Sequence, residues 1–497
     1  MLAPPGPEDP AGRAAARYEE IAYPGAAYPE THPDRLATVA VLSGMRPAPP
    51  ERCRVLELGC GDGGNLIPIA FGLPESRSTG VDLCGSSIRK GRAMAAALGL
   101  GNIALHELDL REISPSFGQF DYIIAHGLYS WAPAVVREKV LAIAAANLAP
   151  QGVAYVSYNT YPGGHLRRMV REMMLFHIGG LPEPQQQVEQ ARALLRMLAD
   201  ARAPGEAYRE FLSSEVDRLC GGVPAILYHD ELAPVYQPCY FHEFIAQAGR
   251  HGLEYLAEAN FTDLRIPPLP AAASELLDRL GDDFVRKEQY LDFFRCRCFR
   301  RTLLCHREVA LDREIKPERL RELAVASPLR PVAAEPDLSA GAVQEFRGPT
   351  GLSATTAHPL TKAALWELGR VWPEALPFPE LLERLAVPDA ALSEMLLQAC
   401  AAGPVELHVS PPRLAARAGE RPVSSPLARL QAREQDVVTT LRHTMVRLEG
   451  ERERQLLLLL DGSRDRAALL NELAAPVPPE QLEENLAKLA RLGLLVG

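Results

Sequence analysis

The run Val55-Leu56-Glu57-Leu58-Gly59-Cys60-Gly61-Asp62-Gly63-Gly64-Asn65 constrains the fold of this chain more than any other stretch. An apolar segment ends at Glu57 and Leu58, glycines follow at alternate positions, and an amphipathic segment from Leu66 to Leu73 begins at once. The pattern predicts a buried strand that turns sharply into a helix. Glycines at such a turn permit tight backbone turning and let a ligand approach the main chain with no Cβ in the way. A dinucleotide-binding turn reads G-x-G-x-x-G and seats pyrophosphate at the helix N-terminus. Here the spacing is G-x-G-x-G, with the acid Glu57 just ahead of the first glycine. An acid there would repel pyrophosphate and suits a cationic ligand that carries an amino group.

The segments after this turn have βαβ spacing. Ser78 to Asp82 reads as a second short strand that ends in a carboxylate. It comes about 20 residues after the glycine turn, where a carboxylate can accept the ribose hydroxyls of a nucleoside. Ser86 is placed to cap the next helix, which runs to about Leu98. Further strands are expected over Asn102–Leu110, Phe120–Gly127 and Gly152–Asn159, with a helix from Val135 to Asn147. Strands alternating with helices imply a doubly wound parallel sheet whose ligand sits at the carboxyl ends of the strands. Glu57, Gly59, Gly61, Gly63, Asp82 and Asp109 all fall there. Singly, each has a plainer reading as a loop glycine or a solvated carboxylate. Their joint occurrence in order is what argues for a site.

The 497 residues suffice for roughly three domains. A formal net charge of −10 argues against a nucleic-acid partner held on a basic face. Nine scattered cysteines read as reduced intracellular thiols. Cys296, Cys298, Cys305 and His306 lack the second knuckle of a zinc site, so core packing is expected there and a metal is not. No apolar run reaches the length of a membrane span and no secretory pattern precedes Arg17, so a soluble, cytoplasmic protein without membrane insertion is expected.

Along the chain, residues 1–16 read as a mobile tail and 17–160 as the ligand-binding core. A helical region over 161–312 inserts into or completes the sheet. It is read with a loop at Tyr228–Tyr236, a strand at Leu253–Ala257 and one long helix from Glu288 to His306. A hairpin with three short helices appears over 313–410 and again over 435–497, joined by a Pro/Arg-rich linker at 411–434. The repetition suggests two winged-helix-like modules. The mixed charge of the second favours a protein-binding role over DNA binding.

The glycine turn with Glu57 resembles motif I of class I S-adenosylmethionine (SAM) methyltransferases. The resemblance implies a Rossmann-like α/β sheet and SAM lying over Gly59, Gly61 and Gly63. Glu57 would then hold the amino-acid end, Asp82 the ribose and Asp109 the adenine amino group, with Leu83, Cys84, Leu110 and His126 beside them. Tyr158 to Arg171, Glu288 to His306 and the lead-in Thr31-His32-Pro33 resemble a narrower bacterial group, methyltransferases carrying a methyltransferase regulatory domain. That group includes protein-lysine methyltransferases acting on an outer-membrane protein, which implies a protein lysine as acceptor. Gly164 departs from the bulky residue, usually Trp, that many relatives carry there.

Methyl transfer from a sulfonium is an in-line displacement, favoured by alignment and by exclusion of water. The acceptor is expected near the ends of the fourth and fifth strands, where His126, Tyr129, Trp131, Asn159, Tyr161 and His165 are candidates. A lysine amine must lose its proton to attack, and its free pKa is about 10.4. Tyr129 and Tyr161 are read as orienting the amine, Asn159 as a carbonyl acceptor and Trp131 as a cation–π wall. His32 is a further candidate. The plainer readings are a turn-packing aromatic for Tyr161, a core plug for Trp131 and a satisfied loop histidine for His126. Two alternatives stand beside a protein-lysine enzyme: a small-molecule O- or N-methyltransferase, and a non-catalytic SAM-binding regulator acting through its C-terminal modules. The extra modules favour a macromolecular acceptor. A homodimer is compatible with the sequence.

Overall fold

The computed structural model describes residues 17–263, 269–349, 351–474 and 477–496. The tail expected at 1–16 lies outside them. The first described helix of any length is α1 (Pro33–Leu42), started by Pro33 at its first position and by His32 Nδ1, which accepts from the Asp34 amide at 3.2 Å. The sheet then alternates β1 (Arg54–Leu58), α2 (Leu66–Gly72), β2 (Arg77–Asp82), α3 (Gly85–Ala97), β3 (Ile103–Glu107), β4 (Phe120–Ala125), α4 (Ala134–Asn147) and β5 (Leu148–Asn159). These strands pair in parallel, as their near-continuous apolar sequences require for burial on both faces.

After β5 come the helices α5 (Gly163–Ile178), α6 (Pro184–Asp200) and α7 (Ala207–Cys220), and a helical turn from Pro224 that widens into a π-helical turn at Leu227–Glu231. The segment read as a loop at 228–236 is therefore helical in its first part, and Glu231 is buried there against Arg167 and Arg218. Next are α8 (Phe241–Arg250), β6 (Leu253–Glu258), α9 (Ala271–Arg279), α10 (Phe284–Arg295) and β7 (Phe299–His306). The seven-stranded order is β3-β2-β1-β4-β5-β7-β6, with β7 antiparallel to both neighbours. This is the Rossmann-like sheet, completed by the region after residue 160.

One long helix from Glu288 to His306 is not what forms. Cys296 takes φ 46°, a left-handed conformation that ends α10. From Phe299 the side chains alternate as in a strand, with Arg300 and Thr302 buried and Phe299 and Arg301 only partly so. Arg300 is 1% exposed and bonds Glu258, Asp292 and Glu288, so its charge is matched where it is buried.

The middle module pairs Gln344–Arg347 with Ser353–Thr356 as an antiparallel hairpin and adds helices at Pro359–Val371, Phe378–Leu385 and Asp389–Ala402. Its core is continuous with that of the sheet: Leu36, Val55 and Tyr155 share one apolar cluster with Val325, Leu365 and Leu396. His408 Nδ1 also meets Asp34 Oδ2 at 2.7 Å. The segment expected as a linker at 411–434 instead carries the helix Pro426–Ala432, whose Leu427, Ala428 and Ala432 are buried. Bridges from Val423 to Asp461 and from Ser424 to Leu495 make it part of the C-terminal module. That module continues with the hairpin Val437–Thr439/Met445–Arg447 and helices Glu451–Leu459, Arg466–Glu472 and Pro479–Arg491. Among the described residues no single helix is long and apolar enough to cross a membrane.

Candidate functional site

A cavity of about 600 Å³ opens at the carboxyl ends of β1, β2 and β4. Its floor is the glycine turn. Gly59 and Gly61 have φ of 74° and 55°, and a Cβ on Gly61 would meet nothing within 4 Å because it faces the cavity. Only the backbone conformation calls for glycine at that position. Gly63 does not line the cavity; it sits behind the turn, where a Cβ would come within 3.0 Å of Ile67.

Asp82 lines the cavity with each oxygen anchored. Oδ2 accepts from the Gly61 amide and Oδ1 from the Cys84 amide, both at 2.8 Å. Burial raises its pKa against the backbone amides of Cys84, Gly61 and Leu83, which lower it. Its remaining lone pairs suit a vicinal diol. Glu57 is 4% exposed; Oε1 accepts from Asn65 Nδ2 at 2.8 Å while Oε2 is buried with no partner. Burial pushes this carboxyl up to about 8. An orphaned carboxylate oxygen beside a glycine turn calls for a ligand that brings a cationic donor.

Leu83, Cys84 and Leu110 also line the cavity, and so does Asp109. The Asp109 carboxylate is bonded to Arg111, through its amide at 2.8 Å and its guanidinium at 2.6 Å, which holds its pKa below the ordinary value. His126 lines the wall, its ring 3.8 Å from that of Tyr28 and its Nδ1 2.9 Å from Tyr155 Oη. Burial lowers its pKa to about 3, so it is neutral near pH 7. Trp131 lines the cavity and donates from Nε1 to the Asp230 carbonyl at 3.0 Å.

The other acceptor candidates are not brought to the cavity. Tyr129 and Trp131 share one 3₁₀ turn and point opposite ways. Tyr129 is fully buried, edge-on to Phe244, with its hydroxyl donating to Gln247 Oε1 at 2.5 Å. Asn159 is fully buried, its Oδ1 accepting from Arg167 at 2.7 Å. Tyr161 lies on the outer side against His165, with ring centroids 4.0 Å apart. His165 is exposed beside Tyr240, and His32 is half-buried as the cap of α1.

Much of the roof comes from residues that the sequence does not single out. Tyr18, Tyr23 and Tyr28 of the lead-in close over the cavity, joined by Asp230, Arg167 and Phe299. The lead-in crosses the glycine turn where Gly25 meets Gly64, and a Cβ on Gly64 would fall 2.4 Å from Gly25 Cα. The regular spacing of those tyrosines was the available signal, but it carries no period that says which way they face. Asp230 had none, since it stands in a segment read as a loop.

Models of three domains match the chain: a methyltransferase domain over residues 55–152, a predicted methyltransferase regulatory domain over 224–306, and the PKMT C-terminal winged helix domain over 420–490. The uncharacterized protein RP789 of Rickettsia prowazekii is 38% identical over 309 residues, which are 62% of this chain and 56% of that protein. The chain thus spans little more than half the length of that relative. The uncharacterized protein RP028 of the same organism is 33% identical over 240 residues, 48% of this chain and 96% of the relative. Among solved structures, PKMT2 from Rickettsia typhi superposes with a TM-score of 0.84 at 29% identity, covering 96% of this chain and 100% of that one. Its complex with AdoHcy gives 0.85 at 28% identity, with the same coverage.

Proposed function

This chain belongs to the family of SAM-dependent methyltransferases in which a methyltransferase regulatory domain and a PKMT winged-helix domain follow the catalytic sheet, and from that premise we propose that it methylates lysine side chains of a protein. The observation that carries the reading is the pairing of the Glu57 and Asp82 carboxylates across the glycine turn, in a fold that matches PKMT2 over nearly its whole length. The unpartnered Oε2 of Glu57 fits the ammonium of SAM, and Asp82 fits its ribose. Leu83, Cys84 and Leu110 supply apolar surface for the adenine. When bound, SAM supplies an electrophilic methyl on a sulfonium. The chain contributes alignment and a roof of aromatic rings that excludes water.

The lysine acceptor is supported by the match to PKMT2 and by the aromatic, carboxylate-bearing end of the cavity. Incubating the full chain with methyl-labelled SAM and a cell extract, then hydrolysing the protein fraction, tests the reading. Label recovered as Nε-methyllysine is the expected outcome. Label confined to small molecules would contradict it.

A further inference from the structure

The cavity holds a carboxylate that donor binding leaves unused. Asp230, on the π-helical turn Leu227–Glu231, lines the cavity from the regulatory region. Its main-chain carbonyl is taken by Trp131, while its carboxylate accepts no hydrogen bond among the described residues. Tyr18, Tyr23, Tyr28 and Trp131 line the same cavity. Tyr18 stacks on His229 at 4.4 Å and meets Tyr23 edge-on at 6.4 Å. The Tyr23 and Tyr28 hydroxyls are bonded to each other, and burial, with the negative charge of Asp230 adding to it, raises the pKa of all three tyrosines.

We propose that Asp230, walled by Tyr18, Tyr23, Tyr28 and Trp131, is the subsite for the acceptor's primary ammonium group and takes its proton. The inference rests on the lysine reading above and names the residues that would serve it. Two cations must enter this cavity, the donor's ammonium and the acceptor's, and apart from Asp82, which faces the ribose, two carboxylates offer oxygens without a hydrogen bond among the described residues, the buried Glu57 and the half-buried Asp230. Glu57 stands at the glycine turn, where the donor's amino-acid end belongs. Asp230 reaches the cavity from the π-helical turn and is left for the second cation. Aromatic faces attract an ammonium that has shed its water, and a carboxylate fixes it by charge-assisted bonds.

One ammonium proton passes to an Asp230 carboxylate oxygen. The freed nitrogen lone pair forms the N–C bond as the S–C bond breaks, and that bond's electron pair stays on sulfur. The products are a methylammonium, a neutral thioether and a protonated Asp230, which returns its proton to solvent. The charges facing Asp230 are Arg167 and Arg218, which favour its ionised form, and Glu231, which opposes it. Burial outweighs them and holds the carboxyl at about 7, suited to exchanging a proton at neutral pH.

The test compares the full-length wild type, Asp230→Asn and Asp230→Glu in two measurements. One is calorimetric titration with S-adenosylhomocysteine; the other is the pH profile of Nε-methyllysine formation in extract protein. Asp230→Asn should bind S-adenosylhomocysteine within about twofold of wild type, which also reports that it folds. It should lose about 100-fold or more of transfer at pH 7. Asp230→Glu should recover part of the rate with a displaced acidic limb. Wild-type transfer in Asp230→Asn overturns the subsite and leaves the lysine reading intact. So does a large loss of S-adenosylhomocysteine affinity, which would assign Asp230 to the donor. If Asp230→Asn does not fold, Asp230→Ala is put to the same criteria. A wild type that labels no lysine overturns both readings.

Discussion

His443 Nε2, on the hairpin turn of the C-terminal module, lies 2.8 Å from Asn65 Oδ1 beside the glycine turn. The same oxygen accepts from the Tyr28 amide and from Thr31 Oγ1, each at 3.0 Å. A backbone amide can only donate, so the Asn65 oxygen must face it and Nδ2 must face Glu57. His443 therefore donates from Nε2. A winged-helix residue, the lead-in segment and the Glu57 carboxylate meet on one side-chain amide.

His443 has φ 57°, which glycine adopts more readily, so His443→Gly removes the ring without adding backbone strain. The lost bond should weaken S-adenosylhomocysteine binding by about 0.5–1.5 kcal/mol, or roughly 2- to 13-fold. Calorimetry measures it. Unchanged affinity would mean that the C-terminal module does not reach the donor site through Asn65.

The elevated Glu57 pKa sets a pH dependence. Burial raises this carboxyl from its ordinary value to about 8, so the ligand-free protein holds a proton there that the unfolded chain releases. By linkage, this group makes ligand-free stability decline as pH rises from the ordinary carboxylate range to about 8, and level off above it. Binding a cationic ammonium favours the carboxylate and expels the proton. Donor affinity should therefore rise with pH up to about 8, and calorimetry at pH 7 in buffers of different ionisation enthalpy should detect proton release. Glu57→Gln should abolish both effects.

Tyr129→Phe should retain methyl transfer, because its hydroxyl serves Gln247 inside the core rather than the cavity. Removing that buried bond should cost about 1 kcal/mol of stability, read from chemical denaturation. Tyr161→Phe should likewise leave transfer near wild type. A large loss of rate at unchanged stability in either variant would restore that tyrosine to the acceptor site.

Arg300→Ala should fail to fold or lose about 3–5 kcal/mol, since it strands Glu258 and Asp292 as buried, uncompensated charges. Thermal unfolding of the purified variant checks this. A melting temperature like that of the wild type would show that the cluster is structurally dispensable.

The five parallel strands and the gathering of Glu57, Gly59, Gly61 and Asp82 round one cavity were legible in sequence because their signals are local. Glu57, Gly59 and Gly61 sit within one turn, and Asp82 ends the next strand, so chain order alone brings them together. Strand β7 was not legible: charges crowd Phe293 to Arg301, and the left-handed Cys296 that separates helix from strand leaves no mark in composition. The acceptor side failed for a related reason. A short turn sends Tyr129 and Trp131 in opposite directions, and hydropathy cannot say which one faces the ligand. Asp230, Tyr18 and Asn65 acquire their places only through contacts between residues far apart in the chain, as the bond from the Tyr28 amide to Asn65 illustrates.

In the proposed donor site, Glu57 and Asp82 seat SAM at the glycine turn. The most direct test is calorimetric titration of S-adenosylhomocysteine into the wild type and Asp82→Ala. One site per chain is expected in the wild type. In Asp82→Ala, which also frees the Gly61 and Cys84 amides, affinity should fall by about 1.5–3 kcal/mol, or roughly 13- to 160-fold. No binding to the wild type, or equal binding to both proteins, would contradict that seating.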